Sequence, residues 1–282
     1  MIYLVGTPIG NLADITLRAL ETLKGVERIL AEDTRQTAKL LSHYAIETPL
    51  ESYHEHNKRM KTPRLVSEML EGKNFALVSD AGMPGISDPG QELVAAALEA
   101  GVRVEAIPGP SAFLTALVIS GLPSDRFLFE GFLPREGKAR RRRIRQLAAV
   151  EQTLVLYEAP HRVLEAMRDL RDGLGDRRVA VARELTKRYE EVIRESLSGA
   201  ILHFEKNEPR GEFTLIIEGK KISEEEESAP EEEIKKLLKE HLPLGAAAAS
   251  RKIAGMLGVS RKIVYQLAIE GIEDGKEDAG SD

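Results

Sequence analysis

The chain has no cysteine among its 282 residues, and aromatic residues make up only 5% of it. Without cysteine, disulfide bonds, thiolate nucleophiles and cysteine metal ligands are excluded. The longest apolar run, residues 112–122, is too short to cross a bilayer. The first residues enter a strand pattern without a basic leader, so no signal peptide is predicted. We therefore expect a soluble, cytoplasmic protein without a membrane partner.

Two common metal-binding patterns are missing as well. Neither an H-E-x-x-H motif nor the acidic spacing of an EF-hand occurs in the chain. His54 and His56 lie in a polar stretch, where exposed or RNA-facing side chains are a better interpretation than a metal pair. No metal site is therefore predicted.

The positive charge of this acidic chain is concentrated in one segment. The formal net charge is −6, but seven glutamates lie within residues 224–233 and six acidic residues within 270–282. Acidic runs of this kind are typical of solvated linkers and tails. Without these two segments the formal net charge of the rest of the chain is positive, so that part is mildly basic. Residues 130–150 alone contain seven lysines and arginines against two glutamates.

This basic segment is predicted to be a helix, and its consecutive arginines cover most of the helix circumference. A ridge that binds nucleic-acid phosphates is the favoured interpretation, because such contacts supply most nonspecific affinity. The alternative is a solvated helix that the acidic linker partly neutralises. The predicted RNA-binding residues are Arg135, Arg140, Arg141, Arg142, Arg143 and Arg145.

Strand and helix patterns alternate through the first part of the chain, which predicts α/β layers with a largely parallel sheet. A second series follows with shorter connections that favour a mixed sheet. We expect an α/β protein with two α/β domains, a cleft between them and a small C-terminal helical domain. The predicted boundaries are 1–121 and 122–222 for the α/β domains, 223–233 for an acidic linker, and 234–282 for the helical domain with its acidic tail.

Two helices of the first domain are predicted to begin at a capping residue followed by proline. Thr62 precedes Pro63, and Asp88 precedes Pro89. This order pairs an N-cap side chain with a proline in the first helical turn. Both dipeptides are therefore interpreted as helix starts.

The C-terminal helices are similar to a helix-turn-helix motif. Gly258 supplies a turn and Ser260 a helix cap between two helical patterns. Nucleic-acid contact and packing against the main body are equal alternatives for this part. Its predicted surface cations are Arg251, Lys252, Arg261 and Lys262.

Loops rich in glycine, proline and small polar residues follow the predicted strands. The most informative one lies within Leu77–Pro89 and has the sequence LVSDAGMPGISDP. Open α/β sheets bind ligands in loops at the carboxyl ends of their strands, and glycine and proline shape such loops. A ligand loop is therefore predicted, with a plain connection as the alternative. Five similar loops are VGTPIGN, AEDTR, PGPSA, YEAPHR and ARELTK.

In this order and spacing, these loops resemble those of the tetrapyrrole-methylase superfamily over nearly all of residues 1–220. AEDTR, SDAGMPGISDPG and ARELTK are similar to the type that methylates the ribose 2′-oxygen of a cytidine in small-subunit (16S) ribosomal RNA. The C-terminal helices resemble the extra domain of that type. The resemblance implies S-adenosylmethionine between two α/β domains, a homodimer, and 16S ribosomal RNA or the small ribosomal subunit as partner.

The resemblance also implies which residues contact the cofactor. From the first domain these are Gly6, Thr7, Pro8, Asp80, Gly82, Met83, Ser111 and Ala112. From the second domain they are Tyr157, Glu158, Ala159, Ala182, Arg183 and Thr214.

A ribose hydroxyl is a weak nucleophile that must lose its proton, which suggests a general base. Asp33 and Glu184 are the candidate bases, and Arg35 or Arg183 would hold a phosphate. The alternative is that these charges form an ion-pair network that braces the cleft. The expected activity is an S-adenosylmethionine-dependent ribosomal RNA cytidine-2′-O-methyltransferase. The other two hypotheses are a tetrapyrrole or corrin methyltransferase and a non-catalytic RNA-binding ribosome assembly factor.

Overall fold

The computed structural model describes residues 1–221, 231–241, 243, 245–257, 259 and 261–277. It divides into two compact units, Met1–Lys220 and Lys221–Asp282. Most of the predicted acidic linker, Gly258, Ser260 and the end of the acidic tail lie outside the described residues.

The first half of the larger unit contains a parallel sheet with strand order β3-β2-β4-β1-β5. Its strands are β1 (Ile2–Val5), β2 (Arg28–Ala31), β3 (Leu50–Ser52), β4 (Phe75–Val78) and β5 (Val104–Ile107). Its helices are α1 (Leu17–Gly25), α2 (Thr34–His43), α3 (Lys58–Leu70), α4 (Gln91–Glu99) and α5 (Ala112–Ile119), with a 3₁₀ turn at Leu12–Asp14.

Apolar side chains pack on both faces of this sheet. Successive residues of a strand point to opposite faces, and Ile29 and Leu30 of β2 accordingly enter two different clusters. Ile29 packs in the cluster that contains Leu23 of α1, and Leu30 in the cluster that contains Leu65 of α3. The sheet is therefore a central layer covered by helices on both sides.

The second half contains a mixed sheet with strand order β6-β7-β10-β8-β9, in which β6 and β7 are parallel and the other pairs antiparallel. Its strands are β6 (Phe127–Phe132), β7 (Thr153–Glu158), β8 (Arg178–Arg183), β9 (Glu191–Ser196) and β10 (Phe213–Ile217). Its helices are α6 (Gly137–Leu147), α7 (Val163–Leu174) and α8 (Leu197–Lys206).

Helix α5 joins the two halves. Ala116 and Leu117 pack in one buried cluster with Val155 of β7 and Ile216 of β10. The guanidinium of Arg194 on β9 also donates to the Ile119 carbonyl at the end of α5, through Nε at 3.1 Å. One face of the second sheet is thus covered by the first half of the unit.

The C-terminal unit is a cluster of three helices, which are α9 (Glu231–His241), α10 (Ala246–Leu257) and α11 (Arg261–Glu277). Its buried side chains include Ile234, Ile253 and Val264, one from each helix. The four predicted surface cations, Arg251, Lys252, Arg261 and Lys262, are exposed. Among the described residues, no helix has the length and apolarity required to span a bilayer.

The α/β fold with a C-terminal helical part is confirmed, whereas two predicted helix starts are wrong. Pro63 lies inside α3, which begins four residues before Thr62. Asp88 and Pro89 precede α4, whose N-cap is Gly90. Strand β3 is three residues long and was not predicted. The boundary between residues 121 and 122 falls between α5 and β6 and stays a prediction.

Two glycines bring the loops after β1 and β5 into direct backbone contact. A Cβ added at Gly6 would lie 2.7 Å from the Gly109 Cα, and one at Gly109 would lie 2.9 Å from the Gly6 Cα. Any side chain here would force the two loops apart, because backbone atoms cannot rotate away as a flexible side chain can. Glycine at both positions therefore sets the spacing of this edge of the sheet.

We expect Gly6→Ala to lower the free energy of unfolding by about 1–3 kcal/mol, the usual cost of overpacking. The matched control is Gly25→Ala, where the added methyl group meets no atom within 4 Å. Urea denaturation of both variants measures the difference. Equal stability of the two variants would contradict the close approach of the loops.

Candidate active site

The loops after β1 and β4 are hydrogen-bonded to each other at the carboxyl edge of the first sheet. The Thr7 amide donates to the Gly82 carbonyl at 2.9 Å, and the Gly82 amide donates to the Thr7 carbonyl at 3.0 Å. The buried Thr7 hydroxyl donates to the Ser79 carbonyl at 3.2 Å. Backbone pairing rather than side-chain packing therefore fixes the relative position of these two loops.

The predicted cofactor residues of the first half lie along this same edge. Gly6 contacts the loop after β5, which leads to Ser111 at the N-cap of α5 and to Ala112. The Met83 sulfur would lie 2.8 Å from a Cβ at Gly6, so Met83 lies against the loop after β1. The structure thus brings together Gly6, Thr7, Pro8, Asp80, Gly82, Met83, Ser111 and Ala112.

Three predicted cofactor residues of the second half form one row across its sheet. Thr214 of β10 is paired with Tyr157 of β7 and with Ala182 of β8. Residues paired in this way point to the same face, and two residues further along the same strands Val155 and Ile216 pack against α5. Tyr157, Thr214 and Ala182 therefore face the first half of the unit.

Glu158 and Arg183 lie in the next row, so their side chains point to the opposite face. Glu158 is buried, accepts a hydrogen bond from the Ala159 amide at 2.9 Å and lies 3.5 Å from Arg162. Arg183 forms an ion pair with Glu191 at 2.7 Å. The structure does not bring the side chains of Glu158 and Arg183 together with the row that faces the first half.

The loops of the two halves also touch each other. A Cβ at Gly10 would lie 2.5 Å from Cγ of Lys187 and 2.8 Å from the Thr186 hydroxyl. The Thr186 hydroxyl is buried and has no hydrogen-bond partner in the described structure. An unsatisfied buried hydroxyl is costly, and the described residues supply no partner for the Thr186 hydroxyl at this contact between the halves.

The carboxylate of the candidate base Asp33 is already hydrogen-bonded to a residue of its own segment. Its carboxylate accepts from Arg35 through Nε at 3.0 Å and Nη2 at 2.8 Å and caps α2 through the Arg35 amide. The hydrogen bonds from Arg35 lower the pKa of Asp33 to about 2. Arg35 itself is 87% exposed. A carboxylate that binds protons so weakly is a poor general base near neutral pH.

The candidate base Glu184 is also held by partners within its own half. It adopts a left-handed backbone conformation with a φ of 51°. Its carboxylate accepts from the Lys187 ammonium and from the Glu212 amide, both at 3.0 Å. Burial alone would raise the pKa of Glu184, but these two hydrogen bonds bring it below its usual value. The contacts of Asp33 and Glu184 fit the bracing alternative better than proton abstraction.

Three other acidic residues at this edge, Glu32, Asp80 and Asp88, have no cationic partner among the described residues. Burial raises the pKa of Glu32, and the charges of Asp80 and Asp33 raise it further. Burial, followed by the charges of Glu32 and Asp80, raises the pKa of Asp88 to about 7. The Asp80 carboxylate accepts from the Asp33 amide at 3.0 Å, which ties the loops after β2 and β4 together.

The negative charge of Asp88, in the first half, also affects Tyr157 in the second half. Burial raises the pKa of Tyr157 to about 12, and the negative charge of Asp88 adds to that shift. Asp88 is absent from the predicted site residues because its position before Pro89 predicts a helix cap. The signal available in the sequence is the position of this carboxylate within a loop that is predicted to bind a ligand.

The arginines of α6 have different environments. Arg140 is 1% exposed and forms ion pairs with Asp169, at 2.6 Å, and with Glu165 of α7. Its prediction as an RNA-binding residue is therefore not supported, because its guanidinium is enclosed between two helices. The Arg143 guanidinium donates two hydrogen bonds, both of 2.6 Å, to the carboxylate of Glu130 on β6. The exposed members of the predicted ridge are Arg135, Arg141, Arg142 and Arg145.

Within the described residues, no group of three or more acidic or histidine side chains has the geometry to hold a metal ion. Glu32, Asp80 and Asp88 at the edge of the first sheet are not such a group. Carboxyl groups without a cationic partner among the described residues suit an organic cation.

Comparisons with known proteins identify relatives over almost the whole chain. A family model described as Tetrapyrrole (Corrin/Porphyrin) Methylases matches residues 1–201. A protein named ribosomal RNA small subunit methyltransferase I, from Synechocystis sp., is 49% identical over 98% of this chain and 99% of its own length. The protein of the same name from Escherichia coli O157:H7 is 47% identical over 95% of this chain and 94% of its own length.

Solved structures with a similar fold are more distant in sequence. A diphthine synthase aligns with a TM-score of 0.60 and 14% identity, over 77% of this chain and 89% of its own length. The uroporphyrin-III-C-methyltransferase of Thermus thermophilus aligns with a TM-score of 0.52 and 21% identity, over 76% of this chain and 93% of its own length. At these identities the likeness shows the fold alone.

We expect Asp88→Asn to stabilise the protein at about pH 8 and to have little effect at about pH 4. Because the folded-state pKa is raised, the wild-type protein loses stability as the pH rises from the usual aspartate range to about 7. Allowing for partial exposure, the gain at high pH is about 1–2 kcal/mol. Urea denaturation across this pH range measures it, with the exposed Asp125→Asn as control. A gain that does not depend on pH would contradict the raised pKa.

Arg140 and Arg142 differ in burial and should differ in their effect on stability. Replacing Arg140 by methionine leaves the Asp169 carboxylate without its main partner, so we expect a loss of about 2–4 kcal/mol in the free energy of unfolding. The exposed Arg142→Met should change it by less than about 0.5 kcal/mol. Urea denaturation of both variants measures the loss in the free energy of unfolding. A similar loss for both would argue against the buried ion pairs.

Proposed function

Because this chain belongs to the tetrapyrrole methylase family, we propose that it transfers the methyl group of S-adenosylmethionine to the ribose 2′-hydroxyl of a cytidine in small-subunit ribosomal RNA. The observation that carries this proposal is the near full-length similarity to proteins named ribosomal RNA small subunit methyltransferase I. Methyl transfer itself is the activity class of these relatives and of this chain.

The residues at the junction of the two halves fit S-adenosylmethionine. This group supplies a methyl carbon made electrophilic by a positively charged sulfur, and it also carries an ammonium group and ribose hydroxyls. Glu32 and Asp80 supply carboxyl groups that have no cationic partner among the described residues. The buried Thr186 hydroxyl still lacks a hydrogen-bond partner. We propose that these groups and the row of Tyr157, Thr214 and Ala182 hold the cofactor.

The surface of α6 supports an RNA acceptor. Four exposed arginines lie on or next to this helix, and the partners of Arg140 and Arg143 keep the helix fixed against α7 and β6. Phosphate contacts by such side chains supply nonspecific affinity that falls with salt. In this proposal Arg135, Arg141, Arg142 and Arg145 bind the RNA backbone, while Arg140 and Arg143 position the helix.

For the proton of the ribose hydroxyl, Asp88 is a better acceptor than Asp33 or Glu184. A general base works best when its pKa is near the operating pH. The pKa of Asp88 is raised to about 7 by burial and by its acidic neighbours, whereas Arg35 holds Asp33 near 2. In this proposal Asp88 takes the proton, while the ion pairs of Asp33 and Glu184 brace the loops.

The cytoplasmic location and the homodimer implied by the family resemblance remain part of the proposal. A cytoplasmic enzyme would share a compartment with ribosomal subunits. Sedimentation of the purified protein at twice the mass of one chain would support the dimer.

Radiolabelled S-adenosylmethionine tests the activity directly. The purified protein is incubated with small ribosomal subunits that lack the modification, and the label is followed after nuclease digestion. Label at the 2′-oxygen of a cytidine supports the proposal. Label in an added tetrapyrrole instead would support the small-molecule hypothesis, and label in neither would support a non-catalytic assembly factor.

We expect Asp88→Asn to reduce single-turnover methyl transfer by about a hundredfold or more, the usual contribution of a general base. The wild-type rate should rise with pH until about 7, as Asp88 loses its proton, and this rise should vanish in the variant. The control Glu184→Gln keeps a side-chain oxygen that can accept from Lys187 and from the Glu212 amide, and it should transfer at nearly the wild-type rate. Calorimetry with S-adenosylmethionine checks that binding is intact. Loss of transfer in a control variant that still binds would reassign the base to that residue.

A further inference from the structure

Phe132, at the carboxyl end of β6, has an unusual exposure for an aromatic side chain. It is 53% exposed, although the rest of its ring packs 5.6 Å, between centroids, from the ring of Tyr157. Tyr157 belongs to the row that faces the first half of the unit. Phe132 therefore stands beside the candidate active site with one side open to solvent.

An irregularity in β6 turns Phe132 toward this side of the sheet. Phe129 pairs with Val155, but the next paired residue is Gly131 with Leu156, so Glu130 is an extra residue in the strand. The extra residue shifts the alternation by one, and Phe132 pairs with Tyr157 on the face that carries Phe129. Bulges of this kind commonly re-aim a side chain near an active site.

Several contacts hold this irregular strand end in place. Gly131 adopts a φ of 70°, which other residues reach only with strain. The extra residue Glu130 is bound by Arg143 of α6 at 2.6 Å. The guanidinium of Arg162 donates to the carbonyls of Leu133 at 2.9 Å and Pro134 at 3.3 Å, immediately after Phe132. The exposed ring thus sits on a braced backbone.

The surroundings of Phe132 carry both charge signs that the proposed reaction needs. A Cβ at Gly131 would lie 3.3 Å from the Ser87 hydroxyl, so the loop that carries Asp80 and Asp88 lies against the bulge. The exposed Arg135 follows Phe132 by three residues in the chain and leads into α6. The bulge that carries Phe132 therefore contacts the acidic loop and continues directly into the arginine-rich segment.

We propose that Phe132 is a stacking platform for an unpaired nucleobase of the RNA acceptor, an inference that rests on the proposed function. Aromatic side chains bind splayed-out bases by stacking, while neighbouring cations bind the phosphates. A base stacked on Phe132 leaves its ribose close to the acidic loop and its phosphates close to Arg135. The positive charge beside the ring favours RNA over an apolar protein surface as the occupant.

The first test compares methyl transfer by Phe132→Ala and Phe127→Ala. Phe127 is a matched control, because it lies at the opposite end of β6 and is 39% exposed. We expect Phe132→Ala to lower kcat/KM for small ribosomal subunits by about tenfold, the effect of losing one stacked base. S-adenosylmethionine affinity and the urea midpoint should not change. Phe132→Leu, which keeps apolar bulk without a π face, should show the same loss, and Phe132→Tyr should restore activity.

The second test detects stacking without catalysis. The chain has no tryptophan, so Phe132→Trp and Phe127→Trp each introduce a single fluorescent reporter. We expect oligocytidylate to quench the emission of the Phe132→Trp variant, whereas an abasic phosphodiester strand of equal length and charge should leave it unchanged. The Phe127→Trp variant should respond to neither strand.

The outcomes separate this inference from the proposed function. Wild-type protein that labels ribosomal RNA, together with a Phe132→Ala variant of wild-type kcat/KM, would overturn the platform alone. Equal quenching by oligocytidylate and by the abasic strand would also overturn it, because only phosphates would then be bound. Wild-type protein that labels no RNA would overturn the proposed function, whatever the fluorescence shows.

Discussion

The close backbone contact between Gly6 and Gly109 is the constraint on which the candidate site depends. It sets the distance between the loops after β1 and β5, and the paired amides of Thr7 and Gly82 add the loop after β4. Because backbone atoms make these contacts, the spacing of the loops does not depend on side-chain packing between them. Three loops that lie far apart in the sequence thereby become one surface at the carboxyl edge of the sheet.

The partner of each charged group decides what that group can do. Asp33 and Glu184 accept hydrogen bonds from Arg35 and Lys187, which lowers the pKa of both carboxylates, and the proposed function gives both a bracing role. Asp88 lies among other carboxylates, and burial raises its pKa to about 7. Charge type alone does not separate these roles, because all three residues are carboxylates that follow a strand or lie in a loop at its end.

The arginine-rich helix α6 combines support and surface in one segment. Arg140 is buried against α7, and Arg143 holds the bulged end of β6. These two side chains give the helix a fixed position, which the exposed arginines alone could not do because they repel one another. The same ion pair that orients the helix also braces the strand end that presents Phe132. The proposed phosphate and base contacts therefore depend on the two arginines that hold the helix in place.

The sequence by itself determined the α/β fold, the glycine-rich loops at the strand ends and the basic helix, because these follow from local patterns of apolar, small and charged residues. Only the tertiary structure decided which side chains meet. In the structure Arg140 is buried, and Gly90 rather than Asp88 is the N-cap of α4. One extra residue in β6 directs Phe132 toward the junction of the two halves. Burial, ion pairing and strand register arise from contacts between residues distant in the chain, so no local pattern contains them.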